Sequence, residues 1–253
     1  MKRYLIAVVF CLCLLLNGCA SKYDEDAIHA YADALTALQD CTGMNTDIKV
    51  LIYEDEDQEH LMSKLNMNGA ILKHDNDLQM NMDASVSANG VVLRNLKFYM
   101  KDANVYFDIF DTKFKQPLDK ETAFFDFDEI VTSQSKINQE DITASIQDNM
   151  KEFRYQDQEA GIIAFIIQES FIQKFTDQST ESKIAIHQLR GTITIKDGQV
   201  TAYSFLMELD IDDQPYTIDT TIELSDFNQI KEIQFPDLSE FDSQEDYDVT
   251  EEL

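Results

Sequence analysis

Leu78-Gln79-Met80-Asn81-Met82-Asp83-Ala84-Ser85-Val86-Ser87-Ala88 alternates apolar and polar residues from end to end, and Asn89-Gly90-Val91-Val92 follows it. Side chains of a strand point alternately to its two faces, so Leu78, Met80, Met82, Ala84, Val86 and Ala88 share one face and the other is wholly polar. Asn-Gly is the pair a two-residue hairpin turn favours, because both central residues take positive φ. Val92, Leu96, Phe98 and Met100 then continue the apolar face on a returning strand. The stretch therefore predicts a hairpin of an antiparallel sheet with one face buried.

The pattern extends in both directions. Asp102-Ala103-Asn104 marks a turn before Val105, Phe107 and Ile109, and upstream Ile48 to Tyr53 and Leu61 to Lys73 flank the acidic loop Glu54 to Glu59. Together these segments predict a five-strand meander. Alternation returns at Gly191 to Lys196, the Asp197-Gly198 turn, Gln199 to Asp212 and Tyr216 to Leu224, with Tyr203, Phe205, Met207, Leu209 and Ile211 on one face. Helical spacing takes over elsewhere. Ile28, Tyr31, Leu35 and Leu38 form one face of a helix over Asp24 to Asp40, whose early acids suit the helix dipole. Ile142, Ile146, Met150 and Phe153 after the cap-like Asn138 predict a helix over 139–153. Gly161 to Ile167 reads as a buried strand, followed by a helix at 169–177. The predicted fold class is α+β: one curved antiparallel sheet, a half-open β-barrel, wrapping a few helices on its concave side.

The chain opens with Met1-Lys2-Arg3 and an apolar run from Tyr4 to Leu16, the form of an export signal. That run rises only about 20 Å as a helix, short of a bilayer's hydrocarbon core. Leu16-Asn17-Gly18-Cys19 resembles the bacterial lipobox. The resemblance implies removal of 1–18, acylation of Cys19 and attachment to the outer face of the cell membrane, with 19–23 as a short tether and 24–238 as the folded domain. Once Cys11 and Cys13 are removed and Cys19 is acylated, Cys41 is the remaining thiol, and no intramolecular disulfide can form. From Ser239 to Leu253 seven acids occur without a base, which predicts a disordered tail.

With 20 Lys and Arg against 48 Asp and Glu, the formal charge is −28. Nucleic acid is excluded as a partner, because phosphate contacts need clustered cations. His29, His60, His74 and His187 lack zinc-ligand spacing, the acidic runs lack the order of a calcium loop, and the seven glycines are too scattered for a phosphate-binding loop. The expectation is no catalytic residue, no metal and no cofactor.

The positive signal is the apolar strand face. Met67, Met80, Met82, Met100 and Met207 fall on inward-alternating positions beside Phe98, Phe107, Tyr203 and Phe205. Flexible, polarizable Met side chains adapt to ligands of varied shape. The same residues could equally pack against the protein's own helices. The lipobox, the amphipathic first helix, the long strands interrupted by helices and the phrase Ile230-Lys231-Glu232-Ile233-Gln234-Phe235-Pro236-Asp237 resemble the LolA/LppX-like lipoproteins. That resemblance implies a half-barrel with an apolar cavity and, as partner, a lipid or other apolar molecule. The alternative is an envelope structural or protein-interaction module with a filled core; the sequence names no protein partner.

Overall fold

The computed structural model describes residues 22–55, 58–74, 77–88, 91–110, 112–117, 138–176 and 184–243. The signal segment, Cys19, the Asn89-Gly90 turn and the tail beyond Ser243 lie outside the described residues.

Helix α1, Glu25–Gln39, begins at Asp24, whose carboxylate accepts from the amides of Asp26 and Ala27. The first meander follows as β1 (Gly43–Tyr53), β2 (Leu61–His74), β3 (Asp77–Ala88), β4 (Val91–Lys101), β5 (Asn104–Ile109) and β6 (Thr112–Pro117). Helix α2 (Gln139–Asn149), β7 (Met150–Asp157), β8 (Ile162–Ile167) and α3 (Glu169–Thr176) come next, then β9 (Ile184–Lys196), β10 (Gln199–Ile211) and β11 (Gln214–Ser225). A single 3₁₀ turn, Leu238–Glu240, precedes the two-residue β12, Asp242–Ser243.

The two meanders are one sheet, in the order β12-β6-β5-β4-β3-β2-β1-β11-β10-β9-β8-β7. The seam is β1 against β11, antiparallel from Asn45–Ser225 to Tyr53–Thr217. The sheet is curved and does not close. Bulges at Ala84/Val86, Val200/Ala202 and Glu208/Leu209 and two in-strand glycines serve that curvature. A Cβ on Gly191 would stand 2.7 Å from the Phe165 ring and 2.1 Å from the Ser204 carbonyl, so the bare backbone there lets the ring lie across the neighbouring strand.

Both edges of the sheet are blunted by terminal segments, which protects them from pairing with other chains. On β7, the Phe153 amide donates to the Lys22 carbonyl at 2.8 Å and the Asp24 amide donates to the Phe153 carbonyl at 2.9 Å, a parallel bridge at Tyr23. On β6, β12 pairs in parallel with Phe114 and Lys115.

The helices pack at one end of the sheet. Ala27, Ile28, Ala32 and Ala34 of α1 and Ile142 and Ile146 of α2 form one cluster with Phe153, Ile163, Phe165, Ile193 and Val200. Full burial of each large member contributes about 1.5–3 kcal/mol.

Two expectations are corrected. The predicted helix over 139–153 stops at Asn149, and Met150 and Phe153 belong to β7. Phe153 is fully buried in the same cluster as Ile146, so its spacing reflected a shared core and not a shared helix. The first five residues of the acidic stretch are ordered: Phe241 is 3% exposed, packed between Tyr99 and Tyr106, with its flanking acids at the surface. Burial of one aromatic side chain outweighs the charge of its neighbours there.

Thr217 on β11 is fully buried, and its hydroxyl has no hydrogen-bond partner among the described residues. Thr217→Val keeps the shape and removes the orphaned group. It is expected to raise unfolding stability by about 1 kcal/mol, measured by denaturant titration; a loss of stability would show that the hydroxyl is satisfied.

Candidate functional site

The strand registers place all nine predicted ligand-lining residues on one face of one sheet. Met80 stands opposite Met100, Met82 opposite Phe98, and Phe98 opposite Phe107. Met67 stands opposite Ala84 and Ile48, Ile48 opposite Ile222, and Ile222 opposite Tyr203, so the face runs through the seam. Phe205 and Met207 alternate with it along β10. The result is an apolar face that crosses from β6 to β7 without a break.

Its two halves are furnished differently. Over β7 to β10 the helices sit on it: Tyr203 and Phe205 pack against the α1 cluster, stacked on each other at 6.0 Å, with Phe205 edge-on to Phe165 at 5.8 Å. The hydroxyls of Tyr31 and Tyr203 hydrogen-bond to each other, and burial raises both pKa values above the ordinary tyrosine value, so both stay neutral. Tyr203 and Phe205 are thus helix contacts. Over β2 to β6, the residues touch one another. Phe107 stacks on Phe114 at 4.8 Å and meets Phe98 edge-on at 5.7 Å, and Met82, 1% exposed, lies across Gly69, where a Cβ would clash with its sulfur at 2.8 Å. Met100 is 2% exposed, whereas Met67, Met80, Phe98, Phe107 and Met207 are half-buried.

The opposite face carries a feature the sequence reading missed. After β11 the chain turns back at Asp226 and Asn228, both at positive φ, and runs across the sheet as a strap. Asn228 donates from its amide to the Gly43 carbonyl at 2.7 Å, and its side-chain oxygen accepts from the Thr42 amide at 2.8 Å. Ile230 then sits against Gly43, where an added Cβ would stand 3.1 Å from its own, Asn81 donates to the Gln234 carbonyl at 3.1 Å, and Phe235 reaches Tyr99. Lys101 lies over Phe235 and Lys113 over Phe241, and Glu240 accepts from Lys113, raising that ammonium's pKa. The readable signal was a pair of aromatics, Tyr99 and Tyr106, at polar-face positions of adjacent strands, matched by Phe235 and Phe241 in the tail. Beside the strap a groove of about 890 Å³ opens, lined by Asn45, Asp47, Asn68, Asn81, Asp83, Lys196 and Glu223 under Ile233 and Gln234. It is polar and lies on the face away from the methionines.

Among the described residues no three His, Cys, Asp or Glu side chains are grouped to hold a metal ion, and no helix is long and apolar enough to cross a membrane. His60 pairs with Asp55 and His187 with Asp210, both at the surface. Cys41 is buried, its thiol donating to the Gly43 carbonyl at 3.1 Å.

No protein-family model matches the sequence, and no curated protein matches it. Among solved structures, the chain is similar to the crystal structure of the Mycobacterium tuberculosis lipoprotein LppX, at 10% identity and a TM-score of 0.47, over 84% of this chain and 100% of that one. A de novo designed transmembrane β-barrel matches at 7% identity and a TM-score of 0.19, over 73% of this chain and 97% of that one. An N-terminal dehydratase from the difficidin assembly line matches at 8% identity and 0.16, over 78% and 82%.

The face predicts different costs for the same substitution at two positions. Met82→Asp strands a carboxylate in a packed site and is expected to lose several kcal/mol of stability. Met207→Asp, half-buried, is expected to stay folded. Thermal unfolding of the two variants checks this; equal melting temperatures would contradict it.

Proposed function

We propose that the chain is a membrane-anchored lipoprotein of the extracytoplasmic face, held through acylated Cys19, that carries a lipid or other apolar ligand on the Met- and Phe-lined half of its sheet. On this reading the sheet is a half-barrel, the helices lie on its concave side and fill one end, and the protein is not an enzyme. The observation that carries it is the unbroken apolar face, of which the helix cluster occupies the β7–β10 part as far as Tyr203 and Phe205, while half-buried Met67, Met80, Phe98 and Phe107, with Met207 of β10 beyond the cluster, line the rest. Long, adaptable apolar side chains over a concave surface suit an acyl chain better than a shaped polar substrate. The near-complete burial of Met82 and Met100 favours a second reading, a non-enzymatic module with a filled core.

Binding of a fluorescent fatty acid to the full chain separates the two. The carrier is expected to bind the probe, and Met207→Asp to weaken binding by about tenfold or more at an unchanged melting temperature. A parent protein that neither binds the probe nor yields stoichiometric lipid on organic extraction is the filled module. Cys19→Ala is expected to leave the membrane fraction or keep its leader; a variant still cut after Gly18 and still membrane-bound would overturn the anchor.

A further inference from the structure

Among the described residues four large apolar side chains are conspicuously exposed: Leu61 at 52%, Val91 at 59%, Val92 at 51% and Phe110 at 55%. Leu61 opens β2 and Val91 and Val92 open β4, and because β2, β3 and β4 are antiparallel neighbours these three lie at one end of the sheet, while Phe110 follows β5 and stands lower, its neighbour Ile109 being level with Leu96. The register carries that end across to the far edge. Val86 is level with Leu65, Val50, Thr220, Phe205, Gly191, Phe165 and finally Phe153. The bridge of Tyr23 to Phe153 is parallel, so Lys22 stands toward Met150, which is the direction of Leu61 and Val91. Cys19 precedes Tyr23 by four residues, a reach of at most about 14 Å. The opposite end of the sheet carries the polar turns at Asp102, Asp197 and Asp226.

We infer that this rim is a membrane-contacting surface: Leu61, Val91 and Val92 seat in the interface of the bilayer to which Cys19 is attached, so that the apolar face of the sheet opens toward the lipid. The inference rests on the anchor reading above. A lipid anchor at the same end of the sheet brings that end to the bilayer, and apolar residues that enter the interface add to the binding of acyl chains. The β1–β2 loop and the β10–β11 turn at the same end hold Glu54, Asp55, Glu59, Asp212 and Asp213. Contact is therefore confined to the β2–β4 arc and to zwitterionic lipid, since an anionic surface would repel these acids.

The test uses the full chain purified from membranes and reconstituted in phosphatidylcholine vesicles, in a Cys41→Ala background, with an environment-sensitive fluorophore on Val92→Cys or, at the opposite end, on Lys196→Cys. Both positions are exposed. The Val92 probe is expected to shift to the blue and to be quenched by a spin label in the bilayer about twofold or more than the Lys196 probe. Protein that sediments with vesicles while aqueous iodide quenches both probes alike overturns the rim contact and leaves the anchor standing. Protein that does not sediment overturns the anchor, and the rim contact with it.

Discussion

The antiparallel seam between β1 and β11 is the pairing on which everything else depends. It joins segments from opposite ends of the chain, and without it the two meanders would be separate sheets, each with a newly exposed edge. With it, Ile48 lies between Met67 and Ile222, and two modest apolar faces become one. A register slip of one residue at this seam would turn every β11 side chain to the other face, so the alternation in both strands specifies the seam.

The termini complete what the seam begins. Residues 22–24 bridge to β7 and the strap delivers β12 to β6, so each outer edge is covered by chain from one end of the domain. The strap also gives the polar face an apolar core of its own, Tyr99, Tyr106 and Phe241 with Phe235 and Leu238 around them. Beneath this arrangement one face is crossed by helices at one end and the other by the strap at the opposite end. The half of the apolar face toward β2–β6 is where the methionines and phenylalanines gather, and the end where its strands expose Leu61, Val91 and Val92 is also the end toward which Lys22 stands beside β7.

Much of this was legible in the sequence because strand alternation is a local signal. The strands from Ile48 to Ile109 and from Gly191 to Leu224, the first helix, the short strand ending at Ile167 and the inward side of Met67, Met80, Met82, Met100 and Met207 followed from period two or period 3.6 alone. What was not legible needed distant partners. Phe153 fits a helical period with Ile146 and an alternating period with Tyr155, and only its neighbour Phe165 decides between them. β6, six residues with a charged pattern, has little alternation of its own and exists through its pairing with β5. The strap is irregular backbone in an acidic stretch, and composition hid the few aromatic residues that pin it. The division of the candidate site was hidden for the same reason: Tyr203 and Met207 look alike along β10, but α1 reaches the first through Tyr31.

The central claim is that an apolar ligand occupies the β2–β6 half of the sheet's apolar face, and β7 offers an internal control, because Met150 packs against the helix cluster at the far edge. Methyl NMR of methionine-labelled protein with a spin-labelled fatty acid reads both at once. The account predicts broadening of the Met67 and Met80 methyl signals with Met150 left sharp. Broadening of Met150 alone, or of none of these methyls at saturating fatty acid, would contradict it.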